Sequence, residues 1–275
     1  MDHYPAILAA KHLIMLTFAP MIRKILYRFL SFEQYLYVLS QLYFTSFNLG
    51  LLKNNRAYAY PYFLKNLIYK GDTVIDIGAN LGYMSVLYSK LVGDSGKVHS
   101  VEPVAPVLKV LRRNTGGLKN VTIYPYALGT EEKTILLGNN TRLKQGYVGS
   151  GSHFVLDKKL TDATEADQMF EAEMKRGSEL FGSLNRIDFI KCDIEGFEIV
   201  VLPEMKDILS RFKPLLLVES NTGQRGELID FFSGLGYLAY VLDEDNRLVL
   251  TNAGEKMDIV FAHPENAERI QAHLK

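Results

Sequence analysis

The sequence predicts an α/β fold, a mostly parallel sheet flanked by helices and preceded by a helical segment. Three observations carry this. From Gly71 onward, short β-branched, apolar runs alternate with stretches of helical period, the pattern of strands joined by crossover helices. The first run, TVIDI over Thr73–Ile77, leads directly into a tight turn built on Gly78, Asn80 and Gly82. Finally, four of the five predicted parallel strands end in a carboxylate, at the edge where open α/β sheets bind ligands.

In chain order, helical periodicity dominates up to about residue 69, with predicted helices at 21–30, 32–44 and 60–69. Strands follow at 73–77, 97–101, 121–124, 187–193 and 215–219, then two more near 239–242 and 258–262. Helices are expected at 82–92, 105–114, 163–180, 199–211 and 225–235. Residues 134–137 read as a short edge strand, and the glycine-containing polar stretch 138–152 as a loop. The chain divides into an N-terminal helical, basic and aromatic-rich segment, 1–70, and an α/β domain, 71–275.

Composition narrows the partners. A 48% hydrophobic and 23% charged chain of 275 residues can bury a large core, which excludes a disordered chain. Zero net charge and a pI near 7 give no electrostatic case for a nucleic-acid partner. The single cysteine, Cys192, rules out an internal disulfide and a cysteine-built zinc site. It reads as a small buried hydrophobe, in keeping with a cytoplasmic chain. The charge is uneven, however: residues 1–70 carry +6 and the remainder −6. The apolar run 7–22 is interrupted by Lys11, His12 and Pro20, which makes it a poor span, since a span needs about 20 apolar residues. After it, Met21, Ile22, Ile25, Leu26 and Phe29 share one helical face and Arg23, Lys24 and Arg28 the other. Either this helix docks on the body with its basic face in solvent, or it lies on the inner face of an anionic membrane.

The strand ends supply the chemistry. Asp76 and the turn after it suit a ligand that approaches the backbone closely. Glu102, followed by Pro103, lies about 20 residues beyond the turn, where an acid takes both hydroxyls of a ribose. The order D-x-G-x-N-x-G places Asn80 where a pyrophosphate-binding fingerprint needs glycine. On the strand IKCD, Lys191 and Asp193 face the same way, so Lys191 reads as a fixed cation that orients Asp193 or a substrate oxygen. Glu195 and Glu219 are the candidates to accept a proton from a hydroxyl. Glu198 suits a helix start.

The segments DTVIDIGANLGYMS, HSVEPVAPVLKVLRRN, IDFIKCDIEGFEIVVL and PLLLVES, in that order and spacing, resemble the FkbM-type methyltransferase family over roughly residues 71–262. The resemblance implies a class I methyltransferase (Rossmann-like) fold with a seven-stranded, mostly parallel sheet. It also implies S-adenosylmethionine as donor and, usually, O-methylation of a sugar or another hydroxylated metabolite. On this reading Asp76, Gly78, Asn80 and Gly82 hold the methionine part of the donor, and Ser85 matches the motif's serine. Glu102 takes the ribose, Asn114 closes the second motif, and Ala127 and Leu128 lie along the adenine. Lys191, Asp193, Glu195 and Gly196 match the K-x-D-x-E-G signature beside the transferred methyl. Where many relatives carry histidine and proline after the fifth strand, this chain has Ser220, Asn221 and Thr222.

As expectations, a carboxylate, Glu195 or Glu219, removes the acceptor's proton. In a metal variant, Asp193, Glu219 and Asn221 occupy strand ends similar to those that ligate Mg2+ in catechol O-methyltransferase. The acceptor is a small molecule or saccharide, and a glycolipid if the N-terminal helix lies on a membrane. Two other classes stay open here: a nicotinamide-dinucleotide oxidoreductase and a non-catalytic, membrane-associated binding module.

Overall fold

The computed structural model describes residues 22–139, 154–155, 168–220, 223–252 and 258–275. Residues 22–29 form helix α1, and α2 spans Phe32–Asn48, opened by a capping box in which Ser31 and Gln34 bond each other's backbone amides. A short helix α3, Ala59–Phe63, and a 3-10 turn at Leu64–Asn66 replace the longer helix expected there. The α/β body then begins with β1, Thr73–Ile77, which runs into α4, Tyr83–Val92. Strand β2, Lys97–Val101, is followed by α5, Ala105–Thr115, and β3, Val121–Tyr124.

Three strands outside the main series follow: β4, Ala127–Gly129; β5, Lys133–Asn139; and β6, Phe154–Val155. Strand β7, Gln168–Arg176, leads into α6, Gly177–Phe181, and then β8, Phe189–Cys192. The predicted helix 199–211 is two helices, α7 (Glu198–Glu204) and α8 (Lys206–Phe212), broken at Met205 just after Pro203. Strand β9, Leu215–Glu219, precedes α9, Arg225–Gly234. The chain ends with β10 (Leu238–Leu242), β11 (Leu248–Leu250), β12 (Asp258–Ala262) and α10 (Ala267–Gln271).

The large sheet has the order β11-β10-β12-β9-β8-β1-β2-β3. From β9 through β8, β1 and β2 to β3 every pairing is parallel, while β12 runs antiparallel to both β9 and β10. The predicted seven strands are all present, and the hairpin strand β11 adds an eighth at the edge. Central strands are covered on both faces, which explains why β1, β8 and β9 read as near-continuous apolar runs. One layer of core holds Ile75, Ile77, Ile190, Val218 and Phe261, and the opposite layer Val74, Val98, Phe189, Leu217 and Val260. Each such fully buried side chain contributes about 1.5–3 kcal/mol relative to exposure.

The structure corrects the sequence reading most at 163–180. Residues 168–176 are not helical but form β7, paired over 168–174 with β5 in a second, four-stranded sheet ordered β4-β7-β5-β6. Glu, Met, Ala and Lys favour helix, but in QMFEAEMKR they alternate: Ala172 and Met174 are buried against Ile135 and Leu137, while Glu171 and Glu173 are exposed. Period-two burial prevails over local propensity. Residues 163–167, and 140–152 of the expected loop, lie outside the described residues, while Gly138 and Asn139 belong to β5.

Candidate active site

The order of strands reverses about β1, with β2 on one side and β8 on the other, so the crevice above their carboxyl ends is the topological switch point. Register explains what gathers there. Asp76 on β1 lies opposite Ser100 on β2 and Lys191 on β8, and Glu219 on β9 lies opposite Asp258 on β12. Neighbours in register share a face of the sheet.

Asp76 is fully buried, an exception within an otherwise apolar strand. Ser85 on α4 donates to its Oδ2 at 2.6 Å, and Ser100 donates to Ser85 at 2.9 Å. Its Oδ1 has no hydrogen-bond partner among the described residues, and Lys191 Nζ stands 3.8 Å away. Burial raises the Asp76 pKa, against Lys191 and Ser85, which lower it. Lys191 is itself buried, donates to the Gly78 carbonyl at 2.9 Å and pairs with Asp193 Oδ2 at 3.0 Å. Burial alone would lower its pKa, but Asp193 and Asp76 overcome that and hold the ammonium charged well above its usual range. One cation therefore ties the first strand, the turn and the fourth parallel strand together.

The turn demands its glycines. Gly78 has φ +75°, and a Cβ there would meet the Asp193 carbonyl oxygen at 1.9 Å; at Gly82, with φ +86°, it would meet Leu111 at 2.8 Å. Asn80 also takes positive φ, 51°, a region asparagine tolerates, and its side chain accepts from the Leu81 amide at 2.8 Å. Substituting Gly78→Ala is expected to cost at least about 2 kcal/mol, from a left-handed backbone and a backbone clash together. Denaturant unfolding checks this.

Glu102 is buried at the end of β2 and accepts the amides of Asn80 at 3.0 Å and Val104 at 2.9 Å. Burial pushes its pKa up to about 7, with both amides pulling the other way. Pro103 follows it, half-buried. Asn114 on α5 donates to the Leu81 carbonyl at 2.7 Å and to Ser40 on α2 at 2.9 Å, and accepts from Gln41 at 2.9 Å. It thus props the turn and links it to the N-terminal segment. Ala127 and Leu128 are buried in β4, where Leu128 packs into the main core beside Val101.

Beyond Lys191 the acids converge. Asp193, Glu195 and Glu219 place carboxylate oxygens within 4.8 Å of one another. Glu195 is exposed at positive φ, 57°, just before Gly196, and Glu198 at the start of α7 accepts the Ile194 amide at 2.8 Å, closing this bend. Asp193 and Glu219 hydrogen-bond each other. Burial would raise Asp193, but Lys191 and the bond from Glu219 hold it below the usual carboxylate range. Glu219 is pushed up to about 9 by burial and then by Asp193, so the pair shares one proton at neutral pH.

Asp258, a residue the strand-end reasoning missed, is raised to about 6 by burial and Asp193. Tyr60 of the N-terminal segment donates to its carbonyl at 2.9 Å. Asn221, the third ligand of the metal variant, lies outside the described residues. Of the ligand set expected for the metal variant, only Asp193 and Glu219 are described, and Lys191 already supplies positive charge 3.0 Å from Asp193.

A doubly wound sheet with a buried acid, a glycine turn and a second acid after β2 defines a class I methyltransferase fold, the kind that binds S-adenosylmethionine. The chain belongs to the methyltransferase FkbM domain family, whose model matches residues 76–239. It is 34% identical over 88 residues to a probable cobalt-precorrin-6B C(15)-methyltransferase (decarboxylating) of Saccharolobus solfataricus, covering 31% of this chain and 42% of that protein. It is 39% identical over 56 residues to a protein-L-isoaspartate O-methyltransferase of Methanosarcina mazei, covering 20% of this chain and 23% of that one. The matches thus span less than half the length of these relatives. Among solved structures, a methyltransferase FkbM from Methylobacillus flagellatus superposes with a TM-score of 0.46 at 14% identity, over 90% of this chain and 59% of that chain.

Proposed function

We propose that this chain moves a methyl group from S-adenosylmethionine to a hydroxyl of a sugar, glycan, glycolipid or related metabolite. The observation that carries the acceptor class is the gathering of Glu219 and Asp258 about Asp193, which is paired with Lys191. Carboxyls in that number bind and deprotonate hydroxyls, which an acceptor rich in hydroxyls supplies. The donor residues are Asp76, Gly78, Asn80, Gly82 and Glu102. The Oδ1 of Asp76, which has no hydrogen-bond partner among the described residues, suits a ligand with a cationic methionine part. The donor supplies an electrophilic sulfonium methyl. Lys191 fixes Asp193 and the turn, and Glu219 accepts the acceptor's proton once its own is lost.

Glu219→Gln is expected to lower kcat about 10²–10⁴-fold, with donor affinity retained. In the native chain kcat/KM should rise up to about tenfold per pH unit below the Glu219 pKa; burial and Asp193 set that point at about 9. Turnover should be unchanged by a chelator. The assay is methyl-labelled donor with a cell extract, followed by identification of the labelled species. A label on carbon or nitrogen would end the O-methylation reading, and a label on a protein side chain would end the sugar or metabolite acceptor. A flat profile between neutrality and pH 9, with full activity of the variant, would remove Glu219 as the base.

A further inference from the structure

Of the apolar face that the sequence pattern singles out on helix α1, only Leu26 among the described residues packs inward, and Tyr27 joins it. Leu26 and Tyr27, with Leu30 just beyond, pack into the cluster that includes Tyr35 and Leu36, and the Tyr27 ring meets Tyr35 edge-on at 5.3 Å. Ile22, Ile25 and Phe29, expected to share the docking face, are instead 43%, 50% and 76% exposed. At about 100° per residue these three form one outward stripe along the helix. Lys24 and Arg28 border it on one side, both exposed. The same N-terminal segment also exposes Leu42, Leu49 and Leu51.

An apolar stripe edged by cations is matched by one environment, the boundary between headgroups and acyl chains. There the methyls and the ring enter the acyl region and the cations meet anionic headgroups. We propose that α1 is a docking face for an anionic lipid bilayer. Charge complementarity favours this occupant over a second copy of the chain. Two segments of charge +6 repel each other, whereas a negative surface attracts the segment and repels the −6 remainder, which orients the body away from it. No helix among the described residues is long and apolar enough to cross a membrane, and the contact proposed for α1 is with the membrane interface. The proposal does not rest on methyl transfer.

Co-sedimentation of the full chain with phosphatidylcholine vesicles, with and without phosphatidylglycerol, tests it. Binding is expected only with the anionic lipid, and it should weaken as salt rises. Ile25→Asp combined with Phe29→Asp should reduce binding at least about tenfold, and Lys24→Glu with Arg28→Glu similarly. Unchanged thermal midpoints would show that these surface variants stay folded. Equal sedimentation of native chain and variants would overturn the proposal, as would indifference to the anionic lipid. A dimer in light scattering that the same substitutions dissolve would assign the stripe to a second copy. Binding that survives both pairs of substitutions but is lost on removing residues 1–21 would assign the contact to that segment instead.

Discussion

Lys191→Met is expected to destabilise the fold by about 3–5 kcal/mol at neutral pH, the cost of stranding buried carboxylates without their counter-charge. Methionine keeps most of the volume, so the loss is electrostatic rather than a cavity. Asp76 is fully buried and has the ammonium as its nearby positive charge at 3.8 Å, and Asp193 loses its partner at 3.0 Å. The Gly78 carbonyl also loses its hydrogen-bond partner, so the glycine turn loosens along with the strands. The sign of the pH dependence follows. Burial already raises Asp76, and removing Lys191 raises it further, so in the variant this acid takes up a proton on folding. Such a group favours the folded state in acid and loses that contribution as pH rises through its folded pKa. The deficit relative to the native chain should therefore shrink as pH falls. Urea unfolding at neutral pH and near pH 5 measures it. A deficit under about 1 kcal/mol at neutral pH, as for exposed pairs, would mean that Lys191 is not the counter-ion of this cluster.

What the sequence made legible follows from which signals are local. β1 and its turn are readable because a buried parallel strand is a continuous apolar run, in which one Asp and the glycines after it stand out. Lys191 and Asp193 were placed on one strand face by period two alone, and the register with Asp76 then follows from the parallel sheet. Asp258 escaped for a geometric reason. β12 runs antiparallel, so it presents its first residue, not its last, at the carboxyl edge of its neighbours. A search of strand ends looks at the wrong terminus. β7 escaped because helix-forming residues were arranged with strand period, and only pairing with β5 reveals that.

The N-terminal segment shows a third kind of limit. Apolar periodicity identifies a stripe on α1 but not which side of it meets the protein. That choice belongs to Tyr35 and Leu36, fully buried one helix later. Nor could spacing reveal that Ser40 and Gln41 reach Asn114, more than 70 positions away, and through it the Leu81 carbonyl of the glycine turn. A motif match to Asn114 suggests contact with the ligand. The structure gives it the work of supporting the backbone that the ligand would meet.

Glu102 couples that backbone to acidity, and its removal should have the larger effect on the donor. A carboxylate accepting two ribose hydroxyls contributes two charge-assisted bonds, each worth about 1.5–3 kcal/mol. Glu102→Ala should therefore weaken S-adenosylmethionine binding at least about 100-fold, and it also orphans the Asn80 and Val104 amides. Burial pushes the Glu102 pKa up to about 7, so in the absence of ligand its proton comes off near neutrality. A group raised in this way stabilises the fold at low pH and burdens it once ionised, as pH climbs through its folded pKa. Ribose hydroxyls bound to Glu102, as proposed, would favour the ionised form and offset that burden. Affinity should accordingly be constant above neutrality and fall up to about tenfold per unit as the carboxylate is protonated below it. The thermal shift on adding donor should likewise be greater at pH 8 than at pH 6. Glu102→Gln keeps the shape and cannot titrate, so it should bind weakly with no pH dependence between those values. Calorimetric titration of the native chain and this variant at both pH values decides the matter. Equal dissociation constants for the native chain at pH 6 and pH 8 would show that Glu102 binds no hydroxyl as a titrating carboxylate.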